Sequence, residues 1–128
     1  MKRLHLFYGL AIVLIFLLTG QYMEWVQNRE LSDGPRMLYR SRHIYLLLAG
    51  LLNLSIGLYF SYRPRGWRRR MQTIGSVLLI LSPVFLLAGF FYEPNRGPDR
   101  TVIAPLGIFA VALGTLFHGI SSLRQKSG

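Results

Sequence analysis

Residues 63–93 read RPRGWRRRMQTIGSVLLILSPVFLLAGFFYE. Five arginines open the stretch, residues 71–92 carry no charged side chain, and Glu93 closes it. As a helix, the uncharged run would be about 33 Å long, enough to cross a bilayer core of about 30 Å. A soluble core helix seldom stays apolar for so long, so this stretch reads as a membrane span with a basic end and an acidic end.

Three further runs have the same character. Residues 4–23, 39–62 and 101–123 are long and apolar, and with 71–92 they make four spans in a single domain covering residues 1–128. The connecting segments are short, so consecutive spans are expected to lie antiparallel. The expected fold is all-α, an integral membrane up-down four-helix bundle. A chain of 128 residues that is 52% hydrophobic could not bury four such runs in a water-soluble core.

Charge sets the threading. Lys2, Arg3, Arg63, Arg65, Arg68, Arg69, Arg70, Arg124 and Lys126 lie at the two termini and in the middle connection, with no acid among them. All five acids, Glu24, Glu30, Asp33, Glu93 and Asp99, lie in the other two connections. Lys and Arg concentrate in short cytoplasmic loops, which gives an N-in/C-in chain in a bacterial cytoplasmic (inner) membrane. Lys2 and Arg3 followed by an apolar run have the layout of a signal peptide. No small-x-small pair precedes Gln21, so the run reads as a retained span.

The net charge of +10 would ordinarily raise nucleic acid as a partner. Here the charge flanks apolar runs instead of lining a groove, so nucleic acid is not expected. Arg63, Arg65, Arg68, Arg69 and Arg70 are expected to contact anionic lipid head groups. The absence of cysteine excludes thiol chemistry and Cys-ligated metal centres. No zinc-protease motif, phosphate-binding glycine loop or nucleophile elbow is present.

Lipid supplies no hydrophobic drive between helices, so inward faces are marked by small and polar residues. Stepping 100° per residue gives one such stripe per span. The stripes are His5, Gly9, Ile12, Phe16, Thr19, Gly20 and Met23; Tyr39, Arg42, His43, Leu46, Gly50, Asn53 and Gly57; Gln72, Gly75, Leu79, Ser82, Leu86, Gly89 and Glu93; and Ala104, Gly107, Val111, Gly114, Thr115 and His118, extended by Arg100 and Ser122. Ser82-Pro83 falls mid-span, where proline should interrupt the helix.

Three sets of residues carry chemistry. An outer polar cluster of Tyr22, Glu24, Arg42, His43, Tyr92 and Glu93 would place an imidazole beside carboxylates and a guanidinium. Asn53 is a carboxamide near mid-membrane that must find a partner. A cytoplasmic layer holds His5, Tyr8, Gln72, Thr115 and His118, in which His5 and His118 have the inward placement of axial haem ligands. No set completes a catalytic or metal centre, so neither an enzyme nor a metal site is expected. The chain reads as an accessory or interaction subunit whose partner is a larger membrane complex or a second copy. Two alternatives stand beside it. One is an electron-transfer protein binding haem b or a quinone through His5 and His118 or His43. The other is a small-solute or proton-coupled transporter using the outer cluster with Asn53.

Overall fold

The computed structural model describes residues 1–27, 31–62 and 66–123. Four helices follow one another: α1 (Lys2–Gln27), α2 (Asp33–Tyr59), α3 (Trp67–Tyr92) and α4 (Ile103–Ser122). A 3-10 turn, Pro98–Arg100, precedes α4. All four are long and apolar enough to cross a membrane. The fold is an all-α four-helix bundle.

The helices do not stop where the apolar runs stop. The second starts at Asp33, well before residue 39, because Asp33 places a carboxylate at a helix N-terminus and Pro35 has the φ of a first turn. Ser32 holds the cap position in extended conformation without a side-chain capping bond. The same helix ends at Tyr59, where Phe60 turns to an extended conformation (φ −81°, ψ 136°). The third helix starts at Trp67, behind Gly66 at φ +93°, a conformation that favours glycine. The Gly66 carbonyl accepts the N–H groups of Arg69 and Arg70 and opens the helix.

Glycine seams build two tight hairpins. In α1–α2, a Cβ on Gly57 would lie 2.5 Å from the Leu6 nitrogen, and one on Gly9 would lie 2.6 Å from the Leu54 nitrogen. In α3–α4, Gly75 and Gly114 face each other, each carbonyl 2.9 Å from where the other's Cβ would be. Backbones this close require the small residue, as expected where packing rather than hydrophobic drive joins helices.

Pro83 joins the hairpins. It lacks an N–H, so the carbonyl of Leu79, four residues earlier in α3, loses its helical donor. Asn53 Nδ2 of α2 donates to that carbonyl at 3.0 Å, and Ser82 Oγ donates to it at 3.1 Å. The next carbonyl, of Ile80, accepts the Tyr8 hydroxyl of α1 at 2.7 Å. Both helices of the first hairpin thus dock side chains on the proline break of the second.

The predicted stripes face inward with few exceptions. His5, Gly9, Ile12, Thr19, Arg42, Leu46, Gly50, Asn53, Gln72, Leu79, Ser82, Leu86, Ala104, Gly107, Gly114 and His118 are buried. Thr115, Ser122 and Arg100 are exposed instead; Ala110 and Ser121 take the interior positions of α4. Thr115 sits 100° beyond Gly114, which places it past the edge of a narrow buried face. Large apolar side chains such as Phe7, Leu14, Ile44, Val84, Phe109 and Leu116 point outward.

Candidate functional site

The interior has two polar regions separated by an apolar layer of Leu46, Ala49, Leu86, Ala104 and Val111. One region lies at the bundle end that carries the acid-bearing connections. The other lies at the end that carries both termini.

At the acid-bearing end, Arg42 and Glu93 form a buried ion pair. Arg42 Nε and Nη2 both donate to Glu93 Oε2, at 2.9 and 2.7 Å. The second carboxylate oxygen, Oε1, accepts the backbone N–H groups of Ile103 (2.7 Å) and Ala104 (3.0 Å). Glu93 therefore binds α2 through a guanidinium and caps the N-terminus of α4, whose first N–H groups have no helical acceptor. Each oxygen is engaged and both partners are buried, so this is a structural clasp.

The rest of the predicted outer cluster does not gather around this clasp. Glu24 is exposed and, among the described residues, accepts a long 3.4 Å contact from Gln21. His43 turns toward α1: its Nδ1 lies 3.0 Å from Thr19 Oγ1, and its ring stacks on Phe16 with centroids 4.0 Å apart. Thr19 gives its own proton to the Phe16 carbonyl, so His43 Nδ1 is the donor in their bond. Tyr92 is exposed beside Arg96, whereas Tyr22 packs on Tyr39, Phe90 and Phe91. The reason is helical geometry. Glu24 follows Met23, His43 follows Arg42 and Tyr92 precedes Glu93, each turned 100° from the inward neighbour. The sequence left the carboxylate partner of Arg42 open; the structure selects Glu93.

The region at the termini is the denser one, with all four helices contributing. His5 Nδ1 lies 2.7 Å from Asn53 Oδ1. The Asn53 amide nitrogen is committed to the carbonyls of Ala49 and Leu79, so its oxygen accepts and His5 carries its proton on Nδ1. On the other side, His118 Nε2 lies 3.1 Å from Ser76 Oγ, which lies 2.7 Å from the Tyr62 hydroxyl. The two imidazoles meet edge to face with centroids 6.2 Å apart. His5, Asn53, Gln72, Ser76, His118 and Ser121 are all buried. Two ring nitrogens, His5 Nε2 and His118 Nδ1, are buried without a hydrogen-bond partner among the described residues.

Of the predicted residues, this region unites His5, Asn53, Gln72 and His118, ties in Tyr8 through α3, and leaves Thr115 outside. Ser76, Tyr62 and Ser121 went unnamed in the sequence because a serine in a span signals packing as readily as a polar bond. Arg63 and Arg65 lie outside the described residues. Arg68 Nη1 donates to the Leu123 carbonyl at 2.7 Å, and Arg69 sits over the Tyr62 ring, so two of the five loop arginines also serve the fold. Among the described residues, no group of three or more His, Cys, Asp or Glu side chains is placed to hold a metal ion.

Neither family models, nor curated proteins, nor solved structures give a match to this chain.

Proposed function

We propose that the chain is a multi-pass protein of a bacterial cytoplasmic membrane, with both termini inside, and that it acts as an accessory or interaction subunit through its helix faces. One observation carries this reading. The interior polar groups are mostly engaged with one another, with the Pro83 break or with the start of α4, while large apolar side chains cover the outside. A surface of this kind has lipid or another apolar helix as its natural partner. The partner is a larger membrane complex or a second copy, and the arginines of residues 63–70 sit at anionic head groups.

The rival readings draw less support from the geometry. A transporter needs a polar route, and the apolar layer around Leu46 and Val111 separates the two polar ends. A haem held by His5 and His118 would need the closely packed layer of Asn53, Gln72 and Ser76 to part around a macrocycle.

The test is a tryptophan scan read by native gel in a mild detergent at native expression level. The wild-type chain is expected to migrate as an assembly larger than 14.7 kDa plus micelle. Tryptophans along one outward stripe should release it, while those on other stripes should not. Migration as a bare monomer, or release by no outward position, would remove the interaction reading. Resistance to carbonate extraction tests membrane embedding separately.

A further inference from the structure

Close contacts divide the bundle into two bodies. Each glycine whose Cβ would meet another helix meets its own hairpin partner. Gly9, Gly20, Gly50 and Gly57 lie in the α1–α2 seam, and Gly75, Gly89, Gly107 and Gly114 in the α3–α4 seam. Longer side chains make the joint between the hairpins. Two grooves, of about 290 and 410 Å³, lie on that joint, between α2 and α4 and between α1 and α3. The second helix ends at Tyr59 and the third starts at Trp67, so no helix runs across the joint.

The joint is fastened unevenly along its length. At the acid-bearing end the Arg42–Glu93 ion pair crosses it, with both carboxylate oxygens engaged. In the middle, Tyr8 and Asn53 of the first hairpin bond the carbonyls of Ile80 and Leu79 in the second. At the end with both termini, the buried polar layer splits along the joint. The His5–Asn53 bond lies within α1–α2, and the Ser76–His118 bond lies within α3–α4. Among the described residues no ion pair crosses there. The crossing contacts are the Tyr62–Ser76 bond at 2.7 Å, a long 3.5 Å contact from Gln72 Nε2 to the Ser61 carbonyl, and ring contacts. Ser61 and Tyr62 belong to the connection between the hairpins and not to α2.

Two atoms make this end costly to keep closed. His5 Nε2 and His118 Nδ1 are buried without a partner among the described residues, one in each hairpin. A buried polar atom left unpaired has lost its hydration with nothing in exchange. The two rings meet at 6.2 Å, so the joint passes between them. Parting the hairpins here keeps both bonds internal to the hairpins, gives up the Tyr62–Ser76 bond and lets water reach both nitrogens. We infer that the end with both termini is a one-sided gate. The hairpins part there as rigid bodies, pivoting on the Pro83 latch and the Arg42–Glu93 clasp, and water enters the layer of His5, Asn53, Gln72, Ser76 and His118. The apolar layer around Leu46 and Val111 stays shut, so the opening leads into the bundle from one side and not through it. The gate is independent of the accessory role; the compartment it opens to follows from the threading.

The test measures distances between paired spin labels on the full chain in lipid nanodiscs. The chain has no native cysteine, so exposed positions can be labelled in pairs. Leu4→Cys with Ile120→Cys spans the joint at the end with both termini. Leu18→Cys with Leu106→Cys spans it toward the acid-bearing end, and Ile74→Cys with Leu116→Cys spans the α3–α4 seam. The first pair is expected to show a second, longer distance beside the closed one, and the other two pairs one narrow distance each. Tyr62→Phe removes a bond that crosses the joint and should raise the open-to-closed ratio about fivefold, the worth of one neutral hydrogen bond. The gate is overturned by a single narrow distance at the first pair in both wild type and Tyr62→Phe. It is equally overturned by a longer distance whose share Tyr62→Phe leaves unchanged. Equal widening of the second pair would mean that the hairpins separate along their whole length, and widening of the third that α4 leaves its seam; either result removes the proposal. Carbonate extraction decides membrane embedding on its own, so its failure and the failure of the gate are distinguishable.

Discussion

The Asn53 carboxamide donates to the Leu79 carbonyl that Pro83 deprives of its helical partner. A break in one helix and a polar residue in another are therefore one feature. Asn53→Leu should lower stability by about 1–3 kcal/mol, because it strands His5 Nδ1 and leaves the Leu79 carbonyl with the Ser82 hydroxyl as its one remaining side-chain donor among the described residues. In a Pro83→Ala background, residue 83 supplies the missing N–H and the same change should cost less. Unfolding in mixed micelles across this double-mutant cycle measures the coupling; strict additivity would refute it.

The Arg42–Glu93 clasp gives a second cycle. Removing one partner leaves a buried charge, so Arg42→Met or Glu93→Ala alone should cost about 3–5 kcal/mol. Arg42→Met combined with Glu93→Gln should recover part of this, because the glutamine oxygen can still accept from Ile103 and Ala104. If Glu93→Ala proves no worse than Glu93→Gln in the Arg42→Met background, Glu93 does not cap α4.

Two glycines five residues apart on α4, Gly114 and Gly119, should behave in opposite ways. A Cβ on Gly114 would lie 2.7 Å from Leu79 Cγ and 2.9 Å from the Gly75 carbonyl oxygen, whereas one on Gly119 meets nothing within 4 Å. Gly114→Leu should cost on the order of 1–3 kcal/mol, or more if the backbones must separate. Gly119→Leu should be close to neutral in stability. Equal thermal shifts for the two variants in detergent would mean that the α3–α4 seam is not a close backbone contact.

The periodicity of the four spans was enough to find the buried faces, because in a bundle without hydrophobic drive the small and polar residues are themselves the signal. That reasoning located His5, Gly9, Asn53, Gln72, Gly114 and His118. It erred by one residue at Thr115, where a 100° step moves a side chain from interior to surface. It placed Glu24 and His43 with Glu93 because all three lie at one end of the bundle. Depth is legible from sequence position, but the azimuth at which two helices meet is not. The link from Pro83 through Leu79 to Asn53 depends on the register between α2 and α3, which no single span encodes.

The threading expectation can be tested on positions whose ends of the bundle are known. Ser32 opens α2 at the acid-bearing end, and Ser61 follows α2 at the end with both termini; both are exposed. The chain has no native cysteine, so Ser32→Cys and Ser61→Cys each give a single reporter. With the arginine-rich connection inside, an impermeant maleimide added to intact spheroplasts should label residue 32 and spare residue 61 until the membrane is opened. The reverse pattern would invert the bundle and place its arginines outside. Labelling of both positions in sealed cells would mean that α2 does not cross the membrane, and its buried polar residues would then need a different solvent from the one inferred here.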